Sequence, residues 1–219
     1  MKIAYLYYDF LNLYGESGNI KIIADVLKYN KIKHQIIYLS LDDDLNFQDY
    51  DLVYIGSGTE ENQKVALNHL MKYQKDIVKY IEDGKFILAT GNSVDMFGQK
   101  IIANKEYKGL NLLDFVVKQG KRKMKEVYLP SKITKKNILG FINNNSYIED
   151  VDYSLFENEG IQYHNFYGTY ILGPILVRNP EFLKYFLNNF TNKKLKYDLK
   201  IENKAYREFV KNFKEVHDE

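Results

Sequence analysis

The first half of the chain alternates short apolar runs with longer segments in which apolar residues recur every three or four positions. The short runs are rich in strand-forming residues and predict buried strands at 2–8, 34–39, 51–55 and 85–90. The longer spacing predicts helices at 19–29 and 61–82, the second stopped by Asp83-Gly84. This alternation is typical of an α/β fold with a mostly parallel central sheet flanked by helices.

The second half has a different pattern, in which shorter apolar runs are joined by polar loops. These runs predict strands at 110–117, 126–129, 138–142, 153–156 and 166–172. Helical spacing returns at 180–188 and 203–213, and Pro180 suits the first position of a helix. The chain has no internal repeat, low-complexity linker or break in composition, so we expect one domain over residues 1–219.

Composition narrows the functional classes. The 219 residues are 45% hydrophobic, which is ample for a packed core, and 31 basic against 29 acidic residues leave a net charge of +2. That balance gives no electrostatic reason to expect nucleic acid as a partner. No run reaches the ~18 apolar residues of a membrane span. The N-terminal run enters Asp9 without a cleavage-site pattern, which predicts a cytoplasmic protein.

Cysteine is absent from the sequence, which excludes disulfides, thiolate metal sites and a cysteine nucleophile. The acidic run at 42–44 lacks a nearby histidine and the glycine pattern of a calcium loop, so it is interpreted as a solvated turn. We therefore predict no metal and no organic cofactor.

Five segments of the chain carry a recognisable order of motifs, at residues 7–20, 51–58, 84–91, 109–115 and 159–170. The first reads YYDFLNLYGESGNI and the last reads EGIQYHNFYGTY. In order, the five segments resemble the cobyric-acid-synthase-like (CobB/CobQ-type) class I glutamine amidotransferases, in particular the small amidotransferase subunits of bacterial lipid II isoglutaminyl synthases. The corresponding first and last motifs there are Y-P-D-L-M-N-L-Y-G-D-x-G-N and E-G-x-x-Y-x-N-x-x-G-T-Y. The resemblance implies a flavodoxin-like or Rossmann-like sheet.

The resemblance also identifies two catalytic positions. In that family a Cys on the turn after a strand attacks the glutamine amide, and a His near the end of the fold serves as its base. The family's C-G-G-Y-Q-L-L-G runs in register with GNSVDMFG, which places Gly91 at the nucleophile position. T-Y-L-H-G-P runs in register with TYILGP, which places Leu172 at the base position. Both catalytic groups are missing, so we expect no catalytic residue.

Other positions become pocket candidates by the same resemblance. The loop that would line the oxyanion hole keeps two of its three glycines and has Ser57 between them. Asp95 replaces a Gln of the nucleophile segment. Arg122 corresponds to an Arg that holds the substrate carboxylate, although a solvated basic run at 121–123 is the alternative. Asn143 is expected at the pocket rim. The full candidate set is Gly56, Ser57, Gly58, Asn92, Ser93, Asp95, Arg122 and Asn143.

Ser93 is the one residue that could replace the missing nucleophile. GNS is similar to the start of a G-x-S nucleophile elbow, but using Ser93 requires sliding the helix by two residues against its strand. It would also need a base, and His164 lies eight residues before Leu172 on one predicted strand. The alternative is that Ser93 or Asn92 caps a helix that runs through Phe97.

Three functions remain open. The first is a non-catalytic amidotransferase-like subunit, which by resemblance forms a heterodimer with a Mur-ligase-like synthetase that amidates the D-glutamate of a peptidoglycan precursor. The second is an active glutaminase that uses residues outside the family pattern. The third is a module that binds glutamine or another amino acid without cleaving it.

Overall fold

The computed structural model describes residues 1–149 and 151–217. Its helices are α1 Ser17–Tyr29, α2 Glu60–Leu70, α3 Gln74–Glu82, α4 Ile175–Arg178, α5 Pro180–Thr191 and α6 Lys200–His217. Its strands are β1 Lys2–Leu6, β2 Gln35–Leu39, β3 Leu52–Ile55, β4 Phe86–Thr90, β5 Lys100–Ile102, β6 Glu106–Lys108, β7 Val116–Leu129, β8 Ile138–Glu149, β9 Ile161–Tyr163, β10 Phe166–Thr169 and β11 Ile171–Leu172. Short 3-10 helices span Leu13–Gly15, Phe47–Asp49, Met71–Tyr73 and Gly91–Phe97.

The larger sheet has six strands in the order β2-β1-β3-β4-β10-β9. Every neighbouring pair is parallel except β10 and β9, which run antiparallel. Because parallel strands need crossover connections, helices cover this sheet, and β3 is buried along its whole length. The predicted α/β class, with a mostly parallel sheet and flanking helices, is confirmed.

Alternate side chains of the central strands enter two separate cores. On β1, Ala4 and Leu6 pack with the side of the sheet that α2 and α3 cover. Ile3 and Tyr5 pack on the opposite side, with α1, α4 and α5. This is the period-two alternation of a strand that is buried on both faces.

The second sheet has five strands in the order β11-β8-β7-β5-β6. Its centre is the long antiparallel pair of β7 and β8, with a register shift between Gln119 and Lys123. The two-residue β11 continues the chain from β10 and pairs with β8. The chain therefore passes directly from the larger sheet into the smaller one.

The first-half elements agree with the sequence predictions, with two differences. The first strand ends at Leu6 because Tyr7 has a positive φ of 57°. The helix predicted at 61–82 is two helices separated by the 3-10 turn Met71–Tyr73. The apolar spacing continues on both sides of that turn, since Leu70 and Ile77 are both buried, so periodicity alone gave no sign of the break.

The second half contains the larger corrections. Of the strand predicted at 110–117, residues 110–115 are loop and only 116–117 are strand, at the start of β7. The strand predicted at 126–129 is the other end of β7, whose middle is largely exposed. Without an alternating apolar pattern, that middle gave no strand signal. Residues 153–156 form no strand, because only Phe156 makes isolated bridges.

Two further second-half elements differ in length or continuity. The strand predicted at 138–142 continues to Glu149, and the one predicted at 166–172 divides at Tyr170 between the two sheets. The sequence prediction also omitted the short strands β5, β6 and β9.

The two predicted C-terminal helices are confirmed, and both are longer than predicted. Pro180 occupies the first turn of α5, as expected, and this helix ends at a left-handed Asn192. No helix in the described part of the chain is both long enough and apolar enough to cross a membrane.

Candidate functional site

Three segments that are distant in sequence meet at the carboxyl edge of the larger sheet. Since β3, β4 and β10 are parallel neighbours, the segments that follow them leave the sheet side by side. These segments are the loop 56–59, the turn at Gly91 and the β11 strand. The edge beyond the carboxyl ends of parallel strands is where ligands bind in open α/β sheets.

Gly91 forms the sharp turn between β4 and a short 3-10 helix. Its φ is +63°, in the left-handed region that glycine adopts without steric cost. The turn has no side chain and is buried. The position that the resemblance assigns to the nucleophile therefore presents only backbone.

Two side chains fill the space where a side chain at position 91 would project. A Cβ on Gly91 would lie 2.5 Å from Ser57 Cβ and 2.7 Å from Leu172 Cδ2, both closer than packed carbon atoms approach. Ser57 and Leu172 are 3% and 1% exposed, so both side chains belong to the packed interior. The three departures from the family pattern thus form one packed unit.

The route of the chain explains how Leu172 reaches this turn. Thr169 on β10 is in register with Thr90 on β4, directly before Gly91. The chain then leaves the larger sheet, and Leu172 pairs with Phe141 of β8. His164 has a positive φ in the turn at the opposite end of β10 and lies away from this edge.

The loop after β3 keeps its two glycines for a steric reason. A Cβ on Gly58 would lie 2.9 Å from the carbonyl oxygen of Phe10, and a Cβ on Gly56 would strike the carbonyl oxygen of Leu11. The N–H of Leu13 donates to the carbonyl of Ser57 at 2.9 Å. The loop is therefore clamped by the segment after β1, and only Ser57 turns its side chain toward Gly91.

The side chain of Asn92 binds the backbone of that loop. Its Oδ1 accepts the N–H of Gly58 at 3.1 Å and the hydroxyl of Ser57 at 3.2 Å. Its Nδ2 donates to the carbonyl of Gly58 at 2.9 Å. Since this loop is the predicted oxyanion-hole loop, the N–H of Gly58 is already occupied by an internal amide oxygen.

Ser93 is buried and its hydroxyl is fully used. Its Oγ lies 2.9 Å from the carbonyl oxygen of Thr90 and 3.2 Å from that of Ile55. The 3-10 helix starts after Thr90 and has no side-chain cap, so the prediction that Ser93 or Asn92 caps it is wrong. The hydroxyl instead fastens this helix to the ends of β3 and β4.

Asp95 lies behind the turn, fully buried beneath the second sheet. Its carboxylate accepts hydrogen bonds from Gln63 at 2.9 Å, from Ser146 at 2.6 Å and from the hydroxyl of Tyr170. Burial raises the pKa of Asp95 to about 6, although the three donors oppose that shift. Gln63 also donates to the carbonyl of Asn92, which links this buried carboxylate to the turn.

Arg122 and Asn143 lie together at the rim of a cavity of about 140 Å³ beside the turn. The guanidinium of Arg122 donates to Asn143 Oδ1 at 3.0 Å and forms an ion pair with Glu60 in the first turn of α2. Asn143 Nδ2 donates to the hydroxyl of Tyr14 at 2.6 Å. Arg122 is thus part of a defined polar chain, not of a freely solvated basic run.

Sequence reasoning did not single out Glu16, a buried carboxylate below the turn. It accepts hydrogen bonds from the hydroxyl of Tyr54 at 2.6 Å and from Thr90. Burial raises its pKa, and donors that include the backbone of Gly173 partly offset the shift. The only sequence signal was an acidic residue within the first family-like segment, immediately before α1.

Glu60 and Gln63 were also missed, because Glu60 lies just before the predicted helix 61–82 and Gln63 falls among the polar residues of its first turn. Thr59 caps α2 by accepting the N–H of Asn62, which fixes the first turn of the helix against the loop. This places Glu60 at the cavity and buries Gln63. Among the described residues that line the cavity, the ionisable groups other than tyrosine are the Glu60 carboxylate and the Arg122 guanidinium, which form an ion pair with each other. The cavity is therefore polar, and neither a cysteine nor a histidine is among the described residues that line it.

The packed unit at Gly91 predicts that adding one methyl group will be costly. We expect Gly91→Ala to lower the free energy of unfolding by roughly 2–4 kcal/mol, through the left-handed backbone and the overlap with Ser57 and Leu172. Gly15→Ala is the matched control, since Gly15 has a φ of +76° but open space around its Cβ position. Urea denaturation of these variants and of Ser57→Gly/Gly91→Ala measures the effect. Equal losses for Gly15→Ala and Gly91→Ala would contradict the packing argument.

The raised pKa of Asp95 predicts a pH dependence of stability. Because the folded pKa of about 6 exceeds the unfolded value of 3.8, the stabilisation is complete below about pH 4 and is lost as pH rises through 6. We expect Asp95→Asn to abolish this loss, which is roughly 3 kcal/mol between pH 4 and 8. Urea denaturation across that range, with exposed Asp25→Asn as control, measures the difference. Parallel pH profiles for wild type and Asp95→Asn would refute the assignment.

Comparison with known proteins identifies the family of this chain. The CobB/CobQ-like glutamine amidotransferase domain model matches residues 2–180. The lipid II isoglutaminyl synthase (glutamine-hydrolyzing) subunit GatD of Staphylococcus aureus is 29% identical over 200 residues, which are 85% of this chain and 82% of the relative. The subunit of the same name from Streptococcus pneumoniae is 27% identical over 228 residues, covering 96% and 87%.

Solved structures show the same fold at low identity. A crystal structure of a glutamine amidotransferase superposes with a TM-score of 0.60 at 12% identity, covering 86% of this chain and 98% of that one. A glutamine amidotransferase from Thermotoga maritima superposes with a TM-score of 0.56 at 14% identity, covering 94% of this chain and 92% of that one. The domain match, which extends over more than half of the residues, decides the family: this chain belongs to the CobB/CobQ-like glutamine amidotransferases.

Proposed function

We propose that this protein is a non-catalytic glutamine amidotransferase-like subunit that pairs with a Mur-ligase-like synthetase in amidating the D-glutamate of a peptidoglycan precursor. The non-catalytic role is supported by the contact between the turn at Gly91, which has no side chain, and the side chain of Leu172. The two positions assigned to the nucleophile and the base lie together, as catalysis in the family requires. Neither bears a reactive group.

The turnover expected to be lost without a nucleophile and a base supports a non-catalytic role. Removing the nucleophile or its base from one catalytic unit costs on the order of 10⁶ in turnover in subtilisin. This chain lacks both groups. The remaining contribution of an oxyanion hole is reduced further, since the N–H of Gly58 is bonded to Asn92. Glutamine hydrolysis at a useful rate is therefore not expected.

The relatives support the cell-wall part of the proposal. Both GatD proteins are named as subunits of a glutamine-hydrolyzing lipid II isoglutaminyl synthase, and this chain aligns with most of their length. A subunit that keeps their scaffold but not the chemistry can still bind and stabilise a synthetase. Free ammonia then replaces glutamine as the nitrogen source.

Catalysis by Ser93 is the competing proposal, and the local geometry argues against it. The hydroxyl donates to backbone carbonyls at the ends of two strands, so it points into the protein rather than toward the cavity. A serine nucleophile needs a base within hydrogen-bond reach. Both partners of this hydroxyl are carbonyl oxygens, which do not act as a base.

Reintroducing the family residues tests the assignment of Gly91 and Leu172. We expect Ser57→Gly/Gly91→Cys/Asn92→Gly/Leu172→His to release ammonia from glutamine at least ~10²-fold faster than wild type, because the quadruple variant restores thiol and imidazole, removes the steric overlap and frees the N–H of Gly58. Gly91→Cys alone should stay near the wild-type rate, since it has no base and retains the overlap. A coupled glutamate dehydrogenase assay measures the rate. Substantial wild-type activity that Ser93→Ala abolishes would favour the competing proposal.

Co-purification and an amidation assay test the proposed pairing with a Mur-ligase-like synthetase. We expect tagged protein expressed in its native host to co-purify with a Mur-ligase-like synthetase. The isolated complex should amidate lipid II with ammonium chloride and at least ~10-fold more slowly with glutamine, because no group cleaves the glutamine amide. Mass spectrometry identifies the partner and the amidated product. Glutamine used as efficiently as ammonium would disprove a non-catalytic subunit.

A further inference from the structure

The cavity beside Gly91 is bordered by two internal groups that match the two ends of glutamine. One is the side-chain carboxamide of Asn92, and the other is the side-chain carboxylate of Glu60. Both residues line the cavity, together with the loop glycine Gly58 and with Arg122. Asn92 is bonded to Gly58, which would bind the carboxamide of a glutamine ligand. Glu60 is bonded to Arg122, which would bind the carboxylate of that ligand.

The carboxamide of Asn92 forms hydrogen bonds with both backbone groups of Gly58. Its oxygen accepts from the N–H of Gly58, and its NH₂ group donates back to the carbonyl of Gly58, at 3.1 and 2.9 Å. The hydroxyl of Ser57 adds a third hydrogen bond to the same oxygen at 3.2 Å. A ligand carboxamide would need these same backbone groups.

The carboxylate of Glu60 occupies the guanidinium of Arg122. Arg122 is held in place by Asn143, which is in turn bonded to Tyr14. The Glu60 and Arg122 side chains remain about one-third to two-fifths exposed, at 31% and 43%, so this contact lies at the mouth of the cavity. An incoming ligand carboxylate would have to displace that of Glu60.

We infer that Asn92 and Glu60 act as internal ligands that close this cavity to amino acids bearing a side-chain carboxamide. The protein therefore does not bind glutamine, which excludes a glutamine-sensing role for this site. The inference deepens the proposed function and rests on it for the identity of the ligand. The family pattern has Gly at position 92, so the blocking carboxamide arises from a single added side chain.

Titration calorimetry with L-glutamine tests the inference on the full-length protein. Wild type should give no saturable binding up to about 10 mM, whereas Asn92→Gly and Asn92→Gly/Glu60→Gln should bind at least about tenfold more tightly than that limit. The double variant should bind more tightly than the single variant, because a neutral glutamine at position 60 competes less strongly than a carboxylate for the guanidinium of Arg122. Asn104→Gly, in the exposed turn between β5 and β6, is the matched control and should behave as wild type.

The possible results separate clearly. Saturable binding by wild type that Asn92→Gly weakens would overturn the inference, because Asn92 would then be a ligand-binding residue. Absence of binding by every folded variant would also overturn it, since removing the internal groups would not have opened the site. Asn92→Ala provides a second test if Asn92→Gly proves unstable in thermal denaturation. Failure to capture a synthetase would count against the proposed function and leaves these titrations unaffected.

Discussion

The contact among Gly91, Ser57 and Leu172 is the constraint on which the character of this site depends. A turn without a side chain leaves a space, and a hydroxymethyl group and an isobutyl group fill it. Protein interiors are packed to nearly crystalline density, so such a space is either filled or costly. A side chain added at Gly91 alone therefore meets steric resistance from Ser57 and Leu172.

Buried polar groups hold this arrangement in place from below. Glu16 joins β3 to β4 through Tyr54 and Thr90, and Asp95 joins α2 to the second sheet through Gln63 and Ser146. Burial raises the pKa of both carboxyl groups, which favours their uncharged forms. Each carboxylate thus connects separate elements through at least two hydrogen bonds, which restricts the relative positions of those elements.

The two sheets give this site its shape. The parallel sheet brings the loop after β3 and the turn after β4 to one edge, while the second sheet supplies Arg122 and Asn143 from its long hairpin. The chain crosses between the sheets at Tyr170, where its hydroxyl binds Asp95. The cavity between the two sheets is therefore polar, and its Arg122, Asn143 and Tyr14 side chains are bonded to one another.

The sequence by itself determined the α/β class, most first-half elements and the family, because buried strands and amphipathic helices have distinct periodicities and the family segments are specific. It also determined that no cysteine nucleophile exists. It did not reveal the exposed middle of β7, where hydrogen bonds between strands replace apolar patterning. Only the tertiary structure decided that Ser57 and Leu172 share one space, that Asn92 binds Gly58, and that Glu16 lies beneath the turn. These contacts join residues dozens of positions apart, and spacing along a chain contains no information about which side chains meet at the edge of a folded sheet.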